Sequence, residues 1–356
     1  MEKYDVVIRG AYGAYNFGDD ALLDVVYTNL TNKFPELNIA IWGSQTSYLK
    51  KCYPKATILK KTDLTDTECE HLIYGGGTQF YDFGQKRKLK DILYLLKNPT
   101  YLWFKITNKK TSYLNAKNEY YLCCGLGPFL KDSKIKANAL LRMSESPFLY
   151  LRDMKSIDYC NEAGINADIT VDMCFSKSLK YKKKKNGRVA VVLRDWNFTD
   201  SKYTISELYD DIVSINNYDV DIITFGDDEK TKIFASENNM NLVTWDPESM
   251  SINDFISILS SYNIIISSRY HGVIYSILLN IPVIALPIEN KLEQAAKELD
   301  GVVLGDLSVN DINYYINIID SDFEALKNKL ENTRENNFRI ATDTMDKLTR
   351  IIGDNK

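Results

Sequence analysis

The feature that most constrains this chain is an alternation of short apolar runs with helix-period segments, which breaks once at a lysine-rich stretch and then restarts. Val6 to Arg9 is strand-like, Asp20 to Phe34 carries Leu22, Val26 and Leu30 at helical spacing, and Ile39 to Trp42 is the next apolar run. Together they make a βαβ unit. His71 to Tyr74, Tyr120 to Cys124, Phe148 to Leu151 and Ile169 to Val171 are further strand candidates, with helical stretches around Leu89 to Leu96 and Ile135 to Met143. This order predicts a mostly parallel sheet wound on both faces.

Lys180 and Lys182 to Lys185 crowd beside Asn186-Gly187. They read as a solvated linker, with a basic binding patch as the alternative. Beyond them the alternation resumes, with strands at Arg188 to Leu193, Asp219 to Phe225, Leu242 to Thr244, Ile264 to Ile266 and Val283 to Leu286. Helices fall at Ile205 to Asn216, Asp228 to Asn238, Ile252 to Ser260 and Gly272 to Leu279. A long charged helical stretch, Phe323 to Ile352, closes the chain. With 356 residues and 45% hydrophobic content, two cores are expected. The fold class is therefore α/β, with two facing doubly wound Rossmann-like domains and a cleft between them. The predicted domains are 1–178, 187–322 and a C-terminal helical extension, 323–356, packing back. Ligands in such folds sit where strand C-terminal ends meet.

A net charge of −4 gives no general attraction for nucleic acid. Met1 to Asp5 runs straight into a strand and lacks a signal peptide's apolar region, so a cytoplasmic protein beginning at Met1 is expected. The apolar stretch Val273 to Leu286 is broken by Ser276, Asn280 and Pro282 and is shorter than the roughly 20 residues of a bilayer span. Between residues 89 and 113, Tyr94, Tyr101, Trp103, Phe104 and Tyr113 mix with Lys97, Lys105, Lys109 and Lys110. That suits peripheral contact with the inner face of a membrane or a helix covering a core. Six scattered cysteines without a CxxC pair, and only two histidines, predict buried thiols and no metal site.

The richest chemistry lies in Ser267-Ser268-Arg269-Tyr270-His271-Gly272. Residues two apart on an extended chain share a side, which predicts Arg269 and His271 facing one pocket with Tyr270 turned away. Gly272 opens a helix whose N–H groups favour an anion; the alternative is a hydrogen-bonded histidine and a surface ion pair. Lys291, after the next strand, is a second cation for the same ligand or a solvated helix-start lysine. Arg152 and Arg194 end two further strands, each an anion ligand or the partner of a nearby Asp.

Gly10 to Asp20 resembles a dinucleotide-binding turn but lacks G-x-G-x-x-G, and Asp19 and Asp20 would repel a phosphate. These carboxylates bind sugar hydroxyls or cap the helix. Gly75-Gly76-Gly77 lets backbone approach a ligand closely or makes a tight strand-to-helix turn.

In order, these segments resemble the polysaccharide pyruvyl transferase family. The matching pieces are Gly10 to Leu23 with Tyr12-Gly13, Asn16 and Gly18-Asp19-Asp20, then Gly75-Gly76-Gly77, Gly125-x-Gly127-Pro128, and Arg152-Asp153 with Ser156. Arg194-x-Trp196, the Ser-Arg-Tyr-His-Gly segment and Lys291 complete them. The resemblance implies a GT-B-like fold and transfer of pyruvate from phosphoenolpyruvate onto two sugar hydroxyls, forming a ketal, with no separate cofactor.

It further implies phosphoenolpyruvate held by Arg269, Lys291 and Arg152 or Arg194, and His271 as the acid. Asp19 or Asp20 would act on the acceptor, with Asn16, Gly76 and Gly77 at the substrate. The acceptor would be a sugar of a cell-surface polysaccharide or its lipid-linked precursor. The family's Asp-Pro segment reads Asp172-Met173 here. Two other classes fit the residues: a glycosyltransferase using a nucleotide-sugar, and a sugar-binding protein without catalysis.

Overall fold

A computed structural model of the chain describes residues 2–44, 46–60, 67–82, 114–179, 186–194 and 205–354. The residues divide into two compact units, 1–11 with 34–169, and 12–33 with 170–356.

The first unit is built on one parallel sheet. Its strands are β1 (Glu2–Arg9), β2 (Ile39–Trp42), β3 (Thr57–Leu59), β4 (Thr67–Tyr74), β5 (Gly77–Phe80), β6 (Asn115–Leu126), β7 (Phe148–Leu151) and β8 (Asp168–Ile169). They run in the order β3-β2-β1-β4-β6-β7-β8, with β5 pairing the end of β6. Val6, Val7 and Ile8 are all fully buried, as expected of a parallel strand covered on both faces. The core is aromatic near the sheet's C-terminal edge, where Tyr74 and Tyr121 stack with centroids 4.7 Å apart. Helices Lys134–Ser144 and Met154–Asn161 are capped by Ser133 and Asp153, an N-cap chemistry that satisfies otherwise orphaned amides.

The second unit carries β9 (Arg188–Leu193), β10 (Asp219–Thr224), β11 (Asn241–Thr244), β12 (Ile264–Ser267), β13 (Val283–Ala285) and β14 (Val302–Leu304). Their order is β11-β10-β9-β12-β13-β14, all parallel. This is the Rossmann order, and its winding reverses between β9 and β12. Both units are thus Rossmann-like sheets flanked by helices, the GT-B-like class expected from sequence.

The division differs from the boundary read at 178–187. Residues 12–33 group with the second unit, which resumes at Thr170. The reason is side-chain burial. Phe17, at the start of the helix Phe17–Lys33, is fully buried with ring centroids 4.7 to 5.4 Å from Phe225, Trp245, Phe255 and Tyr275.

The C-terminal helix, Phe323–Asp354, buries Ala341, Met345, Leu348 and Ile352 at helical spacing. It packs on the 3₁₀ turn Met173–Ser176 and on the helices Tyr270–Leu278 and Phe17–Lys33. Thr170 and Thr344 hydroxyls meet at 2.8 Å, and Lys33 Nζ donates to Thr349 at 2.7 Å.

Among the described residues no helix is long and apolar enough to cross a membrane. The aromatic and lysine-rich segment 89–113, the helix at Leu89 to Leu96 and the lysines 180 and 182–185 lie outside the described residues. All six cysteines are free thiols, and five are buried; Cys52 is exposed.

Candidate active site

The register of the second sheet explains why distant residues meet. Ser267 pairs with Val192 on β9 and with Ala285 on β13. The segments leaving β9, β12 and β13 therefore emerge side by side at the winding reversal, carrying Arg194, Arg269 and Glu289 with Lys291.

The turn after β12 is tied tightly. Ser267 Oγ donates to the Arg269 carbonyl at 2.8 Å and accepts from the Arg269 amide at 3.1 Å. A Cβ on Gly272 would lie 2.1 Å from Ser267 Oγ, so only glycine fits there. Arg269 is the N-cap of the helix Tyr270–Leu278 and supplies no side-chain cap, while its carbonyl accepts from the Gly272 amide at 3.0 Å.

This corrects the alternation argument. The strand ends at Ser267 and the helix begins at Tyr270, not Gly272, so Arg269 and His271 are not two residues of one extended run. They come together because both reach the turn that starts the helix Phe17–Lys33. Arg269 Nη1 donates to Asn16 Oδ1 at 3.4 Å, and His271 packs on Gly18. Tyr270 meets the His271 ring edge-on, with centroids 5.6 Å apart.

Arg269 Nε also donates to the Leu193 carbonyl at 3.3 Å. The residue keeps part of its surface accessible. Yet burial of the guanidinium, then repulsion from Arg194, pushes its pKa down, against smaller opposing effects of Asp228, Glu289 and Asp19. Losing hydration without a close carboxylate disfavours the charged form, so the position gains from a bound anion. Glu289, 5% exposed, lies 2.9 Å from Lys291 Nζ and 3.8 Å from Arg194 Nη1. Arg194 and Lys291 thus border one buried carboxylate and, with Arg269, gather three cationic side chains whose N–H donors suit a small polyanion.

His271 is held on two sides. Its Nε2 lies 3.4 Å from Asp172 Oδ2, and Asp172 is fully buried. Asp172 Oδ1 caps the 3₁₀ turn by accepting from Cys174 N at 3.0 Å, which fixes the carboxylate. On the other side, a Cβ at Gly18 would lie 2.1 Å from His271 Nδ1 and 2.5 Å from its Cγ.

The two aspartates separate. Asp20 is buried and accepts from Trp245 Nε1 at 2.9 Å. Asp19 is partly exposed, accepts from Asn16 Nδ2, and is near enough to Arg269 to favour its charged form. Asp19 is thus the better placed of the two to meet a ligand.

Among the described residues one group has metal-ligand character: Asp172, Cys174 and His271, whose ligand atoms lie within 4.8 Å of one another. The scattered cysteines without a CxxC pair and the two histidines of the sequence predict no metal site.

Arg152, Gly76 and Gly77 belong to the first unit. Arg152 is buried, donates from Nη2 to Thr78 Oγ1 at 3.0 Å, and has Nε 4.0 Å from Asp153. Gly76 and Gly77 have φ of 97° and 78°, and they lead into β5, not into a helix. The turn is strand to strand. Asp153 and Ser156 bond each other, and Ser156 Oγ accepts from Leu126 N at 2.7 Å, so that motif secures the loop after β6. Arg194 is described, whereas Asp195 and Trp196 lie outside the described residues.

Three residues were not among the sequence candidates: Asp172, Gly18 as a wall for His271, and Glu289 as a counter-charge. Asp172 had a local signal, an acidic residue directly after the strand-like run Ile169 to Val171.

A model of the family described as polysaccharide pyruvyl transferase matches residues 16–290. No curated protein matches the chain. Among solved structures, Anabaena HepE in complex with UDP is similar at 7% identity and TM-score 0.58, covering 99% of this chain and 100% of that one. UDP-GlcNAc 2-epimerase from Neisseria meningitidis, bound to UDP-GlcNAc, is similar at 13% identity and TM-score 0.55, covering 98% and 100%. The same enzyme from Methanocaldococcus jannaschii gives 12% identity, TM-score 0.54 and 99% of both chains. At these identities the likeness is one of fold.

Proposed function

The chain belongs to the polysaccharide pyruvyl transferase family, and from that premise we propose that it moves pyruvate from phosphoenolpyruvate onto two hydroxyls of one sugar, forming a ketal. The sugar would belong to a cell-surface polysaccharide or its lipid-linked precursor, modified at the cytoplasmic side of the membrane. The observation that carries this reading is the gathering of Arg269, Arg194 and Lys291 at the winding reversal, beside a histidine on the helix that Arg269 caps.

Phosphoenolpyruvate brings a carboxylate and a phosphate, and the cations with the positive end of that helix match both. His271 gives its proton to the methylene carbon, and C2 becomes electron-poor. One sugar hydroxyl bonds to C2, the C2–O bond to phosphate breaks, and the second hydroxyl closes the ring. Of the two hydroxyl protons, one replaces that given by His271 and the other leaves on phosphate. Asp172 orients the imidazole, and Asp19 accepts a hydroxyl proton.

A second reading is glycosyl transfer from a nucleotide-sugar. It draws on the nucleotide-binding strand order of the second unit and on the likeness to structures holding UDP or UDP-GlcNAc. One experiment separates the two. The protein is incubated with phosphoenolpyruvate or UDP-sugars and a panel of sugar acceptors, following phosphate release and product mass. Phosphate release with a gain of one pyruvate less one water supports pyruvyl transfer; turnover of UDP-sugar alone replaces it with the second reading.

A further inference from the structure

The first unit has its own winding reversal, between β1 and β4, and open parallel sheets bind ligands beyond the strand ends at such a point. Here β1 ends on Arg9, β2 on Trp42 and β4 on Tyr74, and the register pairs Arg9 with both neighbours. The Arg9 guanidinium carbon lies 3.9 Å from the Trp42 ring centroid and 5.0 Å from that of Tyr74. Its Nη1 donates to the Tyr74 hydroxyl at 3.0 Å. The main chain is equally fixed, since the Arg9 carbonyl accepts from Gly75 N at 2.9 Å and Gln79 Nε2 at 3.3 Å.

Unlike Arg142, Arg152, Arg188 and Arg194, Arg9 has no carboxylate within ion-pair distance among the described residues. It is also partly exposed. A guanidinium seated over the Trp42 ring and hydrogen-bonded to the Tyr74 hydroxyl has little freedom left to lose, and its remaining N–H groups match a carboxylate or phosphate. The arrangement is a cation whose counter-ion is supplied from outside.

We infer that this corner binds an anionic group on the acceptor, the carboxylate of an acidic sugar or the phosphate of a phosphorylated or lipid-linked one. The inference rests on the proposed function only in naming the ligand an acceptor. Neutral sugars are then poor acceptors.

Isothermal titration calorimetry on the full chain, without phosphoenolpyruvate, tests it with methyl glucoside, methyl glucuronide and glucose 1-phosphate. At least one anionic sugar should bind about tenfold or more tighter than methyl glucoside, the scale of a charge-assisted hydrogen bond. Which one does so identifies carboxylate or phosphate as the recognised group. Arg9→Gln should abolish the preference and Arg9→Lys keep part of it, with near-ultraviolet circular dichroism confirming both folds. Arg269→Gln should leave the preference intact, separating this corner from the cations of the second unit.

A wild-type protein that binds neither anion more tightly than methyl glucoside overturns the inference. So does a preference that survives Arg9→Gln or disappears with Arg269→Gln. Because no donor is present, binding through Arg9 without phosphate release from phosphoenolpyruvate would defeat the proposed reaction and leave this site standing.

Discussion

Replacing Gly18 by alanine isolates the positioning of His271. The added Cβ would lie 2.1 Å from Nδ1, 2.5 Å from Cγ and 2.8 Å from Cε1 of the imidazole. Ordinary contact needs about 3.5 Å, so the ring must retreat by roughly 1.4 Å. Asp172 restricts that retreat: Nε2 stands 3.4 Å from its oxygen, leaving about 0.6 Å before the pair reaches hydrogen-bond distance. The ring therefore swings out of its place between the two residues.

A misplacement near 1 Å costs on the order of 10²-fold in rate. Gly18→Ala should thus lower kcat for phosphate release by about that factor, with KM for phosphoenolpyruvate nearly unchanged because the cations are untouched. Alanine is also the better helix former by roughly 0.5–1 kcal/mol, so thermal unfolding should not report a collapse. The decisive measurement is steady-state kinetics of Gly18→Ala, His271→Ala and the double variant. If glycine acts through histidine, its substitution adds little once His271 is gone. Wild-type kcat in Gly18→Ala, or the same fold loss in the His271→Ala background, refutes the reasoning.

Asp172→Asn should lower kcat at least tenfold, because the amide no longer holds the imidazole as the carboxylate does, with KM for phosphoenolpyruvate nearly unchanged; wild-type kcat argues against the pairing. Asp20→Ala removes the acceptor of the buried Trp245 N–H. A loss of about 1–3 kcal/mol follows, visible as a Tm several degrees lower, whereas Asp19→Asn should lower activity and leave Tm in place. Burial and Arg194 depress the Arg269 pKa, so its charge is complete at neutral pH and is lost on the alkaline side earlier than for an ordinary arginine. Affinity for phosphoenolpyruvate, measured by calorimetry from pH 7 to pH 10, should therefore weaken as pH rises, and a flat profile contradicts this.

Much of the fold was legible because it is written in periodicity. The runs Ile39–Trp42, Phe148–Leu151 and Arg188–Leu193 are strands with those limits, since an apolar run between turn-forming residues has few other ways to be buried. The residue types in Ser267 to Gly272 pointed to an anion site, and in the folded chain Arg269 reaches Asn16 while His271 packs on Gly18, two residues of one turn.

What sequence order concealed was everything set by packing between distant segments. Residues 12–33 lie early in the chain yet join the second unit, because Phe17 is buried only among Phe225, Trp245, Phe255 and Tyr275. That placement brings Gly18 against His271, sets Asn16 on Arg269 and divides Asp19 from Asp20. Asp172 finds His271 through the turn packed under the C-terminal helix. Local pattern fixes which segments are strands and helices, since hydrophobic period is a short-range property. The partners of a charged side chain depend on which surfaces close over it, and only the tertiary structure decides that.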